Sequence, residues 1–410
     1  MLTFTIREKD QQTLARRAEI ELAHGTVQTP AFMPVGTVGV VKTLLPSEVW
    51  DLGAEITLGN TYHLYLRPGH EAIKVFGGIQ SWNKWQGPVL TDSGGYQVFS
   101  LGNKALTGVS GMQEAAHKEG FYDADTMQAG NVRITEEGAE FTSHIDGSKH
   151  KFTPENVVDT QIALGSDIMM VLDECVEYPA TEDRAKSSME RTHRWAKRAI
   201  DHFEQLQVGD SDIVKKHNLF GIAQGSTFSE LRKESVEYIA SLPFDGIAVG
   251  GVSVGEGKEH MYQVMDWTGP LLQPERPHYL MGIGEPEDLI RAVANGYDMF
   301  DCVLPTRLGR YGVIWHVNRD SAGRYESFEK WDLRGARFRT DQAVIDHTCD
   351  CPTCKAGYSR AYIAHLLRER EVTGIRLTTV HNLRTILRLM EDIRVALDGG
   401  IFSTKFKPFI

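Results

Sequence analysis

Residues 167–174 read Asp-Ile-Met-Met-Val-Leu-Asp-Glu, five apolar side chains in a row between acids. Such a run has no solvent-facing side, so as a strand it is buried on both faces, as strands of parallel sheets are. Working outward from it, runs of the same kind recur: PAFMPVG from Pro30, EITLGN from Glu55, PVLTDSGG from Pro88, NLFGIAQG from Asn218, GIAVGG from Gly246, HYLMGIG from His278 and MFDCVLP from Met299. With DIMMVLDE they make eight. The segment after it places Met189, Thr192, Ala196, Ala199, Ile200 and Phe203 at spacings of three and four, with Arg and Lys on the other face. That is the apolar stripe of a surface helix. Strand and helix alternating through eight strands predict an α/β protein built as a (β/α)8 TIM barrel. The rival is an open doubly wound sheet. Against it, no GxGxxG follows the first run, and chemically capable residues end many runs rather than one crevice.

Around the barrel, expected over 31–340, the chain reads as three additions. Residues 2–28 are short alternating segments, an N-terminal hairpin cap (1–30) that closes the barrel bottom. Residues between Gly102 and Arg133 carry little periodicity and read as a long surface loop after the third strand, an insertion at about 103–131. A hairpin turning at Asp146-Gly147 follows. Residues 341–410 form a C-terminal subdomain and a closing helix. Within it, VHNLRTILRLMEDI reads as the last helix, opened by His381.

Composition sets the broad class. With 41% hydrophobic and 24% charged residues in 410, the chain can bury a large core. No apolar run approaches the roughly 20 residues that span a bilayer, and the first residues lack a basic stretch followed by an apolar one, so the expected location is the cytoplasm with no membrane partner. The net charge of -11 argues against a polyanionic partner, but its distribution is uneven. Residues 301–410 hold 18 Lys+Arg against 13 Asp+Glu, a net of +5, whereas residues 1–300 hold 26 against 42, a net of -16. A basic tail suits phosphates as well as it suits a merely solvated face.

Three of the five cysteines crowd into CDCPTC, residues 349–354. The pattern favours a metal site over a disulfide framework, and three thiolates with one imidazole form the closed tetrahedral set of a structural zinc. His347, His365 and His381 are the candidates for the fourth ligand. His347 is too near Cys349 to chelate easily, and His365 falls inside a helical pattern. A ligand at His381 would clamp the last helix to the cysteine loop.

Acidic residues close several runs: Asp92 in TDSGGYQ, Asp173 in VLDE and Asp301 in MFDC. On the C-terminal rim of a barrel such carboxylates converge, where they can serve as nucleophile, general acid and base. Gln224, Gly250-Gly251, Tyr96 and Met281 at neighbouring ends could supply amide, backbone and stacking contacts to a planar polar ring.

The motifs DSGGYQVFSLG, MFDCVLPTR, GIAQG, AVGGVSVGE, LMGIGEPEDL and CDCPTC followed by HNLR resemble, in order and over nearly the whole chain, the tRNA-guanine transglycosylase family. The resemblance implies a (β/α)8 barrel with a zinc-binding subdomain, a base exchange in the tRNA anticodon loop within queuosine biosynthesis, and a homodimer as is usual for bacterial members. By motif, Asp301 would be the nucleophile and Asp92 the general acid/base, supported by Asn60 and Ser93. The pocket would comprise the Ser93-Gly94-Gly95 turn, Asp173 at the purine amidine edge, Gln224 and the Gly251 amide at its carbonyl oxygen, and Tyr96 and Met281 on the ring faces. Glu256 would hold a peptide whose Val252 carbonyl meets the aminomethyl group of a deazaguanine base. Cys349, Cys351, Cys354 and His381 would bind structural Zn2+, one per chain. Arg307 and Arg310 would contact the anticodon loop, and the segment from Gly282 to Asp288 would line the RNA path.

Two departures from the family's pattern stand out: Glu285 occupies a place where the family usually has Lys, which puts one phosphate contact in doubt, and the insertion at about 103–131 is the second. Val254 and Cys175 match bacterial members, whereas eukaryotic members tend to carry Gly and Val there. Three other readings are weaker. The archaeal relative acting elsewhere on tRNA usually carries extra C-terminal RNA-binding domains, and the chain ends soon after the last helix. A non-catalytic tRNA-binding partner subunit is expected to lose Asp301 or the zinc set. A barrel metal-hydrolase would need a first-strand HxH pair.

Overall fold

The computed structural model describes residues 2–97, 132–209, 212 and 216–410; the expected insertion at 103–131 lies outside them. The strands are β1 (Thr3–Lys9), β2 (Arg16–Leu22), β3 (Gly25–Thr29), β4 (Ala31–Gly36), β5 (Thr57–Gly59), β6 (Val89–Thr91), β7 (Arg133–Ile134), β8 (Ala139–Thr142), β9 (Lys149–Phe152), β10 (Ile168–Met170), β11 (Asn218–Ala223), β12 (Gly246–Val249), β13 (His278–Leu280), β14 (Met299–Cys302), β15 (Val313–Arg319) and β16 (Tyr325–Asp332). Eight of them close a barrel in the order β10-β11-β12-β13-β14-β4-β5-β6. Each of the eight lies in one of the eight apolar runs of the sequence. The chain gathers into two units, Met1–Leu2 with Gly59–Trp82 and Val89–Met281, and Thr3–Leu58 with Asn83–Pro88 and Gly282–Ile410.

In the first unit, β6, β10, β11, β12 and β13 pair in parallel, with Ile168 opposite both Leu90 and Asn218. All six residues of β11 and all three of β10 are buried, as two-sided burial requires. The run at 167–174 outlasts its strand: the ladder ends at Met170, and Asp173 sits on the loop beyond. The helix Glu182–Gly209 buries Met189, Thr192, Ala196, Ala199, Ile200 and Phe203, the expected stripe. The helix Pro154–Leu164 starts from Thr153, whose hydroxyl accepts from Asn156 N, and stops at Gly165 in the left-handed region (φ 78°). The hairpin β8–β9 turns through Asp146 and Gly147 as expected and joins β7 in a small antiparallel sheet.

In the second unit the N-terminal segment is a three-stranded antiparallel sheet, β1-β2-β3, one strand more than a hairpin. The buried Arg16 of β2 reaches Asp298, immediately before β14, through Nε–Oδ1 at 2.9 Å and Nη2–Oδ2 at 2.6 Å. The sheet is thereby fixed at the start of β14, the end opposite Asp301. The hairpin β15–β16 was not anticipated, although its alternation and the Asp320–Gly323 turn carry the signal.

The long C-terminal helix runs Val372–Asp398, so His381 lies well inside it rather than opening it. Thr378, Thr379 and Val380 are β-branched and poor helix formers, which hides the first turns from a sequence reading. The buried hydroxyls of Thr378 and Thr379 return hydrogen bonds to the Gly374 and Ile375 carbonyls one turn earlier. No helix among the described residues is long and apolar enough to cross a membrane.

Candidate active site and metal centre

In the first unit, Asp92 follows β6 and its carboxylate is fixed on both oxygens. Oδ2 accepts from Asn60 Nδ2 at 2.6 Å, and Oδ1 from the Thr61 amide at 2.8 Å and the Gly94 amide at 3.2 Å. Asn60 is itself held, because it caps the helix Thr61–Leu66 by accepting from His63 N. Ser93, expected beside Asp92, turns its hydroxyl instead to Asp173 Oδ1 at 3.4 Å and accepts the Gly95 amide at 3.2 Å.

Asp173 is buried, and Gln224 Nε2 donates to its Oδ2 at 2.6 Å. Burial pushes its pKa up to about 6, against the pull of the Gln224 and Ser93 hydrogen bonds. The adjacent Glu174 belongs to the scaffold. Its carboxylate takes Arg184 Nη2 at 2.7 Å and Arg191 Nη1, both from the helix Glu182–Gly209. A side chain at Gly251 would meet Gln224 Oε1 at 2.2 Å, and Gly251 has φ 61°, so only glycine fits. Met281 Sδ lies 3.4 Å from the place a Cβ would take at Gly250, whereas the Tyr96 ring is about half exposed (47%).

Beyond Gly251, Glu256 is buried and accepts the Val254 amide at 2.8 Å and the Ser253 amide as well. Val252 is buried beside them. Val254 packs against a core cluster that includes Cys175, Trp195, Tyr62 and Phe141. The two positions singled out in the sequence thus share one wall.

In the second unit, Asp301 lies in β14 and its Oδ1 accepts the Gly282 amide at 2.9 Å. Gly282 has φ 78° with open space where a side chain would project. Glu285, the acid expected to put a phosphate contact in doubt, is paired with Lys330 of β16. Asp288, in the first turn of the helix Pro286–Ala294, is buried (4% exposed), which sets its carboxylate inside the protein rather than on a surface. Arg307 and Arg310 follow on the helix Leu304–Arg310. That helix is strapped to Val372–Asp398 by Asn382 Nδ2 on the Pro305 carbonyl (3.1 Å) and by Thr378 Oγ1 on the Gly309 carbonyl (2.7 Å).

The ligand atoms of Cys349, Cys351, Cys354 and His381 all lie within 4.8 Å of one another. His381 Nε2 is engaged by the Trp315 carbonyl at 2.9 Å, leaving Nδ1 to face Cys351 Sγ at 3.8 Å and Cys354 Sγ at 3.5 Å. Hydrogen bonding to the neighbouring cysteines pulls the Cys351 thiol well below its ordinary value, and the same crowding pushes Cys354 up. Buried thiols facing one imidazole nitrogen, with the other nitrogen tied to a carbonyl, fit a tetrahedral cation. Arg384 braces the loop with a two-pronged contact to Asp350, at 2.8 and 2.7 Å, and a second one to Glu391. His347 and His365 are not part of the cluster.

Sequence reasoning missed Arg232, Ser235, Glu174 and Asn382. Arg232 and Ser235 lie with Leu231, Val236 and Ile239 on the buried face of the helix Ser229–Ser241. Polar residues on a core-facing stripe are the available signal.

Comparison with known proteins gives one consistent result. A family model described as queuine tRNA-ribosyltransferase matches residues 10–410. A queuine tRNA-ribosyltransferase of Pelotomaculum thermopropionicum is 46% identical over 399 residues, covering 97% of this chain and 95% of the relative. Those of Symbiobacterium thermophilum and Vibrio cholerae are each 46% identical over 402 residues, covering 98% of this chain and 89% and 94% of the relatives.

Proposed function

Because this chain belongs to the queuine tRNA-ribosyltransferase family, whose members are tRNA-guanine transglycosylases, we propose that it replaces the wobble guanine of tRNAs with a U-G-U anticodon sequence by 7-aminomethyl-7-deazaguanine, through a covalent ribosyl intermediate on Asp301. The observation that carries the reading is the pairing of two kinds of carboxylate. Asp92 has both oxygens fixed by N–H donors, and Asp173 is buried against a carboxamide. The first arrangement suits a proton carrier, the second a group that reads the edge of a base.

The steps follow from the residue types. An Asp301 oxygen attacks C1′ of the flipped-out nucleotide through an oxocarbenium-like transition state, and guanine departs with the C1′–N9 electron pair. Asp92 in its acid form gives N9 a proton, so the base leaves neutral and a ribosyl ester remains. Asp92, now a carboxylate, removes the N9 proton of the incoming base, which attacks C1′ and returns Asp301 as a carboxylate. Two inversions give net retention. Asp173 accepts from the amidine N–H groups, Gln224 and the Gly251 amide meet the carbonyl oxygen, and Tyr96 and Met281 flank the ring. Adenine lacks these groups and would leave buried polar atoms unpaired, at about 1–3 kcal/mol each.

The Cys349, Cys351, Cys354 and His381 set would hold zinc, which supplies a closed structural crosslink and takes no part in the exchange. Arg307 and Arg310 would meet the anticodon loop, with Gly282 on its path. A homodimer in the cytoplasm completes the proposal. The test is Asp301→Asn: folded protein should form no denaturant-resistant adduct with substrate tRNA on a denaturing gel. An adduct retained in that variant would move the nucleophile elsewhere.

A further inference from the structure

We infer that Arg232 is a positioning residue that aims two consecutive backbone N–H groups, those of Gly251 and Val252, at the carbonyl oxygen of the exchanged base. The inference rests on the base-pocket reading given under Proposed function. Arg232 is fully buried, and its guanidinium donates to backbone carbonyls: Nε to Ser226 at 2.7 Å, Nη1 to Gly250 at 2.7 Å and Ala223 at 3.3 Å, and Nη2 to Gly251 at 2.8 Å. It therefore ties the loop after β11 to the loop after β12.

In a planar trans peptide the C=O and the following N–H point in opposite directions. With the Gly250 and Gly251 carbonyls both drawn to one guanidinium, the Gly251 and Val252 N–H groups are both turned away from it. In an extended strand successive carbonyls alternate sides. Here the left-handed φ of Gly251, 61°, lets two in succession face the same cation. Two neighbouring N–H groups on one side form the kind of concavity that receives an oxygen carrying negative charge. Neither N–H has a hydrogen-bond partner among the described residues.

The same helix fixes the third contact. Ser235, one turn beyond Arg232, accepts the Gln224 backbone N–H at 2.9 Å, and its Oγ lies 2.9 Å from His193 Nε2. Burial pushes His193 down to about 4, so the neutral imidazole serves as acceptor for the Ser235 hydroxyl. One buried helix face thus holds both the Gln224 backbone and the two amides. As the C1′–N9 bond breaks, and before N9 has taken the Asp92 proton, the negative charge developing on the purine spreads to its carbonyl oxygen. Fixed N–H dipoles with a cation at their far end stabilise that charge without reorganisation. Arg232 touches neither base nor ribose and acts through the peptides.

The experiment compares Arg232→Lys and Arg232→Met with the unaltered full-length protein, using labelled guanine as substrate and 2-aminopurine, which lacks the carbonyl oxygen, as competitor. Loss of amide aim should lower kcat/KM for guanine roughly tenfold or more, by comparison with other oxyanion donors. KM for tRNA should stay within about twofold, since these amides meet only the base. Lysine should restore part of what methionine loses. The preference for guanine over 2-aminopurine should narrow by about the same factor as the guanine loss, because only guanine has the oxygen to lose. If guanine and 2-aminopurine weaken equally in the lysine variant, or the tRNA KM rises in step, Arg232 is merely structural and the inference is wrong. Should the methionine variant not fold, the lysine variant carries the comparison. Absence of any guanine uptake by the unaltered protein would instead remove the base-exchange reading, and this inference with it.

Discussion

Asn60 donates its Nδ2 to Asp92 Oδ2 at 2.6 Å while its Oδ1 caps the helix Thr61–Leu66 by accepting from His63 N at 3.0 Å. One side chain therefore serves stability with one atom and the proposed proton carrier with the other, and substitution can separate the two. Asn60→Ser keeps a cap acceptor but has no donor that reaches Asp92. Its melting temperature should stay near that of the unaltered protein while the single-turnover rate falls about tenfold, a part of the roughly 10²–10⁴-fold that a general acid/base supplies. Asn60→Ala should lose both, with about 1 kcal/mol of stability gone through the missing cap. Equal activity in the serine variant and the unaltered protein would show that Asp92 needs no such anchor.

The raised pKa of Asp173, to about 6 through burial, predicts two pH dependences of opposite sign. The folded state holds the proton more tightly than the unfolded chain, so this group's contribution to stability is complete below about pH 4 and is lost as pH rises through about 6. Reading the amidine edge needs the carboxylate. Guanine kcat/KM should therefore climb with pH through about 6 and then level. Asp173→Asn should lower guanine use sharply and abolish that limb of the profile. A profile flat from pH 5 to 7 in the unaltered protein would count against this role.

Purified protein should carry about one zinc per chain, the stoichiometry of a closed three-thiolate, one-imidazole site. Cys351 also caps the short helix Pro352–Lys355, accepting Cys354 N at 3.3 Å, and serine can replace it there. Loss of zinc and a lower melting temperature in Cys351→Ser would therefore report on the metal rather than on the cap. His381 sits between Thr378 and Asn382, the residues that strap the arginine helix Leu304–Arg310. Unseating it should raise the KM for tRNA and leave the chemical step at saturating tRNA nearly unchanged. Full activity after exhaustive chelation, with zinc shown to be gone, would refute the assignment.

What the sequence disclosed and what it hid follow one physical distinction. Strands buried on both faces leave an unbroken apolar run, so every barrel strand could be located, and the stripe at Met189–Phe203 was legible because helix burial is periodic. The three cysteines of the candidate metal site cluster in the chain, and a distant imidazole on a long helix remained only one candidate of three. Arg232 was illegible because its work is done on backbone carbonyls, which have no sequence identity. The start of the helix Val372–Asp398 was hidden by β-branched residues whose hydroxyls satisfy carbonyls within the helix, a tertiary compensation for poor propensity. Ser93 was legible as a motif member, but the direction of its hydroxyl, towards Asp173, depends on a turn that spacing does not encode.

The incoming base gives the most discriminating prediction. Val254 packs against the cluster that holds Cys175, and its amide is tied to Glu256 Oε2 at 2.8 Å, so the two methyl groups are fixed in place rather than free to swing aside. A small aminomethyl substituent can pass such a wall to the Val252 carbonyl, whereas a cyclopentenediol cannot, because overpacking a fixed apolar wall costs about 1–3 kcal/mol. The unaltered protein should exchange 7-aminomethyl-7-deazaguanine efficiently and queuine slowly. Val254→Gly should shift the preference towards queuine by about tenfold or more, the factor that one or two kcal/mol of relieved clash supplies. Removing the side chain also leaves a gap beside Cys175 and Trp195, so the variant should melt a few degrees lower, and that loss falls on both bases alike. Competition between each base and labelled guanine on a tRNA with a U-G-U anticodon sequence separates the two effects. Efficient queuine use by the unaltered protein would overturn the specificity claim and leave the base-exchange activity standing.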